Sequence, residues 1–116
     1  DMRYVGFQNP RDFFGICNIS VLPSVLEGFG LTVLESLAME CPVVRSDTPG
    51  YSDTKEITYV FEKEDVEGLA QYLVNAYNNQ DEIQKMAKLG RKTVQEKFTI
   101  ENQVKETIKV YKNVIN

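Results

Sequence analysis

The chain has 116 residues, a length that suits one domain built round one core. Its composition, 42% hydrophobic, 26% charged and 10% aromatic, is that of a folding globular chain, not a disordered one. Lys plus Arg number 13 against 17 Asp plus Glu, and there is no histidine, so nucleic-acid binding, Ser/His or Cys/His nucleophilic pairs and imidazole metal sites are all set aside.

Tyr4, Val5 and Phe7 read as a short strand running into the turn-rich stretch Gly6 to Asn9. The opening D-M-R-Y-V-G-F has no leader pattern, and we expect residue 1 to be an internal position of a longer chain. Asn9 followed by Pro10 is an N-cap with proline at the first helical position, which predicts a short helix to about Ile16. Ile19 to Leu22 is a compact apolar run closed by Pro23 and Ser24, and reads as a buried strand. After the loop Glu27-Gly28-Phe29-Gly30, Leu31, Leu34, Leu37 and Ala38 recur at helical spacing as far as Met39 or Glu40. Pro42 to Arg45 is a further strand, Ser46 to Gly50 a turn, and Ile57 to Phe61 a weaker strand.

From Asp65 onward the period is helical. Asp65 caps a helix whose apolar face is Val66, Leu69, Ala70, Leu73, Ala76 and Tyr77, ended by Asn78 and Asn79. A second helix from about Asp81 carries Ile83, Met86, Ala87 and Val94; a third, capped by Thr99, carries Ile100, Val104, Ile108, Tyr111 and Ile115. Strands alternating with helices predict an α/β fold, a partial Rossmann-like parallel sheet with helices on both faces, residues 1–116 forming a single unit. Cys17 and Cys41 each lie in an apolar setting and read as buried free thiols. No apolar run approaches the ~20 residues needed to cross a bilayer, so a cytoplasmic protein, with peripheral membrane association as the only membrane contact, is expected. Arg45 could reach a phosphate at the sheet edge, but a strand-end arginine is more often solvated or paired with a nearby acid such as Asp47.

The segment Ser24 to Glu35, between a buried strand and the first turn of a helix, is the richest in candidate chemistry. Ligands of open α/β sheets bind at the carboxyl ends of strands, and a helix N-terminus presents unpaired N–H groups that can hold a phosphate. The amides near Gly30, Leu31 and Thr32 are placed for that role, with Gly28 and Gly30 permitting close approach. Glu27 and Glu35 bracket them, and paired carboxylates suit sugar hydroxyls rather than phosphates. Two readings of these residues stand side by side: a ligand site, or a tight structural turn with two solvated acids. There is neither a third glycine of a dinucleotide fingerprint nor a P-loop.

The run V-L-P-S-V-L-E-G-F-G-L-T-V-L-E-S-L-A-M-E-C-P-V-V-R-S-D-T-P-G resembles the signature region of the group 1 glycosyltransferases, a retaining family with the GT-B fold, and similarity extends over essentially the whole chain. Its E-G-F-G-L-x-x-L-E element, two glutamates with seven residues between, matches at each defining position. The resemblance implies the C-terminal, donor-binding domain of a transferase that takes a sugar from a nucleoside diphosphate sugar. It implies that Glu27, the candidate catalytic residue, contacts hydroxyls of the transferred sugar, and that Glu35 hydrogen-bonds the nucleotide ribose. Gly28, Phe29, Gly30, Leu31 and Thr32 would meet the diphosphate and donor sugar through their backbone, and Phe7, Gln8 and Asn9 would fall near the base.

The sequence departs from the family's pattern at Glu40 and Cys41, where many relatives have a glycine and a small residue, and at Pro49, which replaces a glycine. The basic pair that neutralises the diphosphate in the family lies upstream of this region; residues 1–52 hold Arg3, Arg11 and Arg45 as their only cations. No D-x-D is present, so no metal and no cofactor are expected, the acceptor being bound by an N-terminal GT-B domain and this chain alone being inactive. The rival functions are a noncatalytic nucleotide or phosphosugar module and a structural α/β interaction domain.

Overall fold

The computed structural model describes residues 1–115. In chain order they form helix α1 (Pro10–Phe14), strand β1 (Ser20–Leu22), helix α2 (Leu31–Ala38), strand β2 (Val43–Ser46), a 3-10 turn (Tyr51–Asp53), strand β3 (Tyr59–Phe61), and helices α3 (Val66–Asn78), α4 (Gln80–Lys97) and α5 (Ile100–Ile115). The strands pair in parallel in the order β1-β2-β3 and are flanked by helices. β2 is the middle strand and is buried at all four positions, which is why its sequence is a continuous run instead of an alternating one. In the register, Leu22 lies opposite Arg45 and Arg45 opposite Val60. The last residue of β1 and the charged position of β2 therefore share one end of the sheet.

The caps follow from local chemistry. Asn9 accepts from the Arg11 amide with Pro10 at the first helical position, Asp65 accepts from the Gly68 amide at 3.0 Å, and the Thr99 hydroxyl accepts from the Asn102 amide at 3.2 Å. Helix α2 packs Val33 and Leu37 into a core with Val43, Ile57 and Val94. It approaches α4 closely at Gly90, where a Cβ would stand 2.6 Å from Leu37 Cδ2. After α2 the chain reverses at Glu40, which takes a left-handed φ of 60°. Glycine is usual at such a helix end, and here the side chain is held by an ion pair with Arg91 at 3.1 Å.

Five expectations are corrected. The run Ile19 to Leu22 does form a strand, β1, but not a buried one: Val21 is exposed and Ser20 and Leu22 are half-buried, because β1 is an edge strand with a neighbour on one side alone among the described residues. Residues Tyr4 to Phe7 form no strand: a strand exists through its ladder, and no partner strand lies alongside among the described residues. On α3 the packed stripe is Leu69, Tyr72, Leu73 and Ala76, the i, i+3, i+4, i+7 set, whereas Val66, Ala70 and Tyr77 fall outside it and are exposed. Cys17 is exposed and only Cys41 is buried, because α1 is a five-residue helix that buries nothing and leaves the residues after it uncovered. Arg45 is neither solvated nor paired with Asp47; its side chain is wholly enclosed, and the Asp47 carboxylate instead accepts from the Lys63 amide at 2.8 Å.

Candidate functional site

The loop between β1 and α2 is shaped by two glycines and a serine. Gly30 is the N-cap of α2 with φ 81° and ψ 64°, a left-handed conformation that glycine reaches without the Cβ penalty. Having no side chain, it supplies no capping oxygen to the first turn. Val33 donates to the Gly30 carbonyl at 2.9 Å, so the helix starts there. The amides of Gly30, Leu31 and Thr32 have no protein acceptor among the described residues. These are the orphan donors of a helix N-terminus, at its positive end.

Glu27 stands beside them, half-buried, accepting from the Ser24 hydroxyl at 3.4 Å and from the Gly28 amide at 3.3 Å. Its Cγ is 3.5 Å from where a Gly30 Cβ would be, an ordinary contact, while Leu22 Cδ2 would stand closer at 3.3 Å. Thr32 and Glu35 are exposed on the first turns of α2. The Phe29 ring packs against Phe98 with centroids 6.0 Å apart. With Leu31, Leu34 and Asn102 those rings line a groove of about 580 Å³ beside the loop. Phe29 and Leu31 thus turn their side chains to an apolar groove, and what they can offer a polar ligand is backbone.

Three further groups shape the loop from behind: Ser46 and Gly50, which read from the sequence only as turn residues, and Arg45, whose contact with the loop its sequence setting does not show. Ser46, at the end of β2, donates to the carbonyls of Ser24 at 2.6 Å and Leu22 at 3.4 Å. Gly50, with φ 84°, lies so near the loop that a Cβ on it would stand 2.3 Å from the Gly28 carbonyl oxygen. Arg45, 0% exposed, donates through Nη1 to the Phe29 carbonyl at 3.4 Å and to the Thr54 hydroxyl at 3.1 Å. Burial pushes the guanidinium's pKa down from its ordinary value, and the negative charge of Glu27 acts in the opposite direction. Periodicity carries no trace of these contacts; the sheet register creates them.

Phe7, Gln8 and Asn9 lie outside this cluster of contacts and are exposed. Gln8 donates to the Val5 carbonyl, and the Asn9 side chain is engaged as the α1 cap.

What the arrangement can do is bind an anion at the head of α2 with a carboxylate and hydroxyls alongside. Over 94 residues the chain is 31% identical to the capsular polysaccharide biosynthesis glycosyltransferase CapM of Staphylococcus aureus, covering 78% of this chain and 25% of that protein. Over 116 residues it is 28% identical to the O-antigen chain mannosyltransferase B of Escherichia coli, covering 96% and 30%. The chain therefore spans between a quarter and a third of the length of these relatives. Among solved structures, TarM superposes with a TM-score of 0.80 at 22% identity, over 90% of this chain and 22% of TarM. A sucrose-phosphate synthase of Thermosynechococcus elongatus gives 0.78 at 24%, over 89% and 27%. Both share the fold, the α/β domain of GT-B enzymes. A family model described as "Glycosyl transferases group 1" matches residues 1–93, and the chain belongs to that family.

Proposed function

We propose that this chain is the donor-binding part of a retaining glycosyltransferase, which moves a sugar from a nucleoside diphosphate sugar to an acceptor held by an N-terminal GT-B domain of the same protein. The reading rests above all on the unpartnered amides of Gly30, Leu31 and Thr32 with the Glu27 carboxylate beside them. A departing diphosphate gathers negative charge as its bond to the anomeric carbon breaks, and oriented N–H groups at a helix N-terminus oppose that charge without reorganising. In this reading Glu27 is the catalytic residue, accepting from hydroxyls of the transferred sugar while the acceptor oxygen replaces the diphosphate on the retained face. Glu35 accepts from the ribose, and Phe7 to Asn9 lie toward the base. Amides and cationic side chains carry the phosphate charge in place of a metal, so donor binding is unchanged by a chelator. Acting on a nucleotide sugar, the protein works in the cytoplasm, where peripheral contact would bring it to membrane-borne acceptors.

The test is kinetic, on the full-length enzyme with its best donor. Glu27→Ala lowers kcat by about 100-fold with a smaller change in donor KM, because it removes contacts that strengthen as the sugar reacts. Glu35→Ala raises donor KM by roughly ten-fold, the worth of one charge-assisted hydrogen bond. Unchanged constants in both variants overturn the assignment; donor binding without turnover in the parent protein favours the noncatalytic module.

A further inference from the structure

Arg45 is the least expected residue of the molecule. It sits at the carboxyl end of the middle strand, opposite Leu22 and Val60, with its side chain wholly enclosed. Nε reaches the Ser46 carbonyl at 3.5 Å and Nη1 reaches Phe29 and Thr54, but Nη2 has no partner. The Thr48 hydroxyl, three residues further on, is also buried without one. Among the described residues Arg45 forms no ion pair. Packing alone does not call for such a group, since an apolar side chain of similar volume fills buried space at lower desolvation cost. A buried guanidinium with one N–H donor that the protein itself leaves unpartnered can serve a negative charge placed near it.

The hydrogen bond to Phe29 shows where that charge acts. The Phe29 carbonyl and the Gly30 N–H belong to one peptide unit, and no peptide among the described residues is cis, so the two point in opposite directions. Drawing the carbonyl inward to Arg45 turns the Gly30 N–H away from it, and a cation on the carbonyl polarises that N–H into a stronger donor. The same segment carries the free Leu31 and Thr32 amides. We propose that Arg45 is a positioning residue for the β1–α2 loop: it fixes the Phe29–Gly30 peptide from behind and supplies buried positive charge beneath the amides that receive a phosphate or diphosphate.

This inference rests on the loop being the donor site, and the experiment separates the two. Binding of UDP, GDP, ADP and inorganic pyrophosphate to the full-length protein is measured by calorimetry for the parent, Arg45→Met and Arg45→Lys. Arg45→Met weakens the tightest nucleotide by about ten-fold or more, the loss expected for a charged hydrogen bond. Pyrophosphate weakens by a similar factor if the diphosphate is what is recognised, and Arg45→Lys recovers a substantial part of the loss. An Arg45→Met protein that binds within two-fold of the parent, or a lysine variant no better than methionine, overturns the proposal. Should the methionine variant fail to fold, the parent protein labelled with 15N-arginine decides. The Arg45 Nε–H signal shifts on adding nucleotide if the guanidinium supports the bound state, and a stationary signal at saturation overturns it. If none of the four probes binds the parent protein, the donor reading itself fails and takes this one with it.

Discussion

The two cysteines show how much a single residue's surroundings decide. Cys41 lies at the foot of α2, enclosed, with the Ser36 hydroxyl donating to its carbonyl at 3.1 Å and to the Ser20 hydroxyl at 3.0 Å. Burial pushes its thiol pKa up because the thiolate loses hydration, an effect opposed by the hydrogen bond with Ser36 and reinforced by the charge Cys17 would carry. Cys17 is open to solvent. The thiolate is the reactive form, so a raised pKa and an enclosed sulfur act together against modification of Cys41. Iodoacetamide at neutral pH therefore alkylates Cys17 in the folded protein and spares Cys41, and both react in concentrated urea; mass mapping of the labelled peptides reads the outcome. Rapid labelling of Cys41 without denaturant would mean that α2 is not seated as described. The same sign makes the neutral thiol the form the fold favours, so the Cys41 contribution to stability is held at neutral pH and declines once pH rises through its folded pKa.

Between elements, the decisive contact is the turn after β2 lying against the loop after β1. Gly50 is left-handed, and a Cβ there would meet backbone on both counts, the Gly28 oxygen at 2.3 Å and Phe29 Cα at 2.8 Å. Alanine at residue 50 adds the left-handed penalty to the cost of displacing a neighbouring segment, about 2–4 kcal/mol together. Gly28 is the control, because a Cβ on it meets nothing within 4 Å and its φ is not positive. Gly28→Ala is expected to cost under about 0.5 kcal/mol, as at other unobstructed surface positions. Urea midpoints of the two variants test this, equal stability being the result that refutes it. The strand, loop and helix from Ile19 to Met39 were legible in the sequence because punctuation and period agree there, and the caps at Asn9, Asp65 and Thr99 were legible because capping is local chemistry. What lies behind the loop was not. Arg45 between two valines and a serine looks like any strand-end cation, and Gly50 like any turn glycine; only the pairing of β1 with β2 brings them to Phe29 and Gly28. The false strand at Tyr4 to Phe7 has the converse cause, since side-chain pattern supplies a face but not a partner.

At the scale of the whole molecule the principal dimensions are 56 × 31 × 27 Å and the radius of gyration is 15.8 Å, against about 13 Å for a compact chain of this length. Residues 1–9 are exposed at every position, and helix α5 buries none of its residues. Its apolar stripe, Ile100, Val104, Ile108, Tyr111 and Ile115, is exposed throughout. It is tied down at its first turn, where the Thr99 hydroxyl accepts from the Asn102 amide and the Asn102 side chain donates to the Glu96 and Lys97 carbonyls. Beyond that turn the helix depends on its own hydrogen bonds, and a 16-residue helix without tertiary packing is marginal in water. Such a segment opens locally, without the core. Amides after Gln103 are therefore expected to exchange with little protection, while those of α2 and of the buried face of α4 exchange only as the whole chain unfolds. Ending the chain after Gln103 changes the unfolding free energy by less than about 1 kcal/mol, because no buried residue of α5 is lost and the apolar side chains removed are all exposed in large part. A fall of several kcal/mol on truncation, or strong protection along α5 at low protein concentration, would require the stripe to be covered in solution, and sedimentation at several concentrations then tells a covering second copy from a covering segment of the same chain.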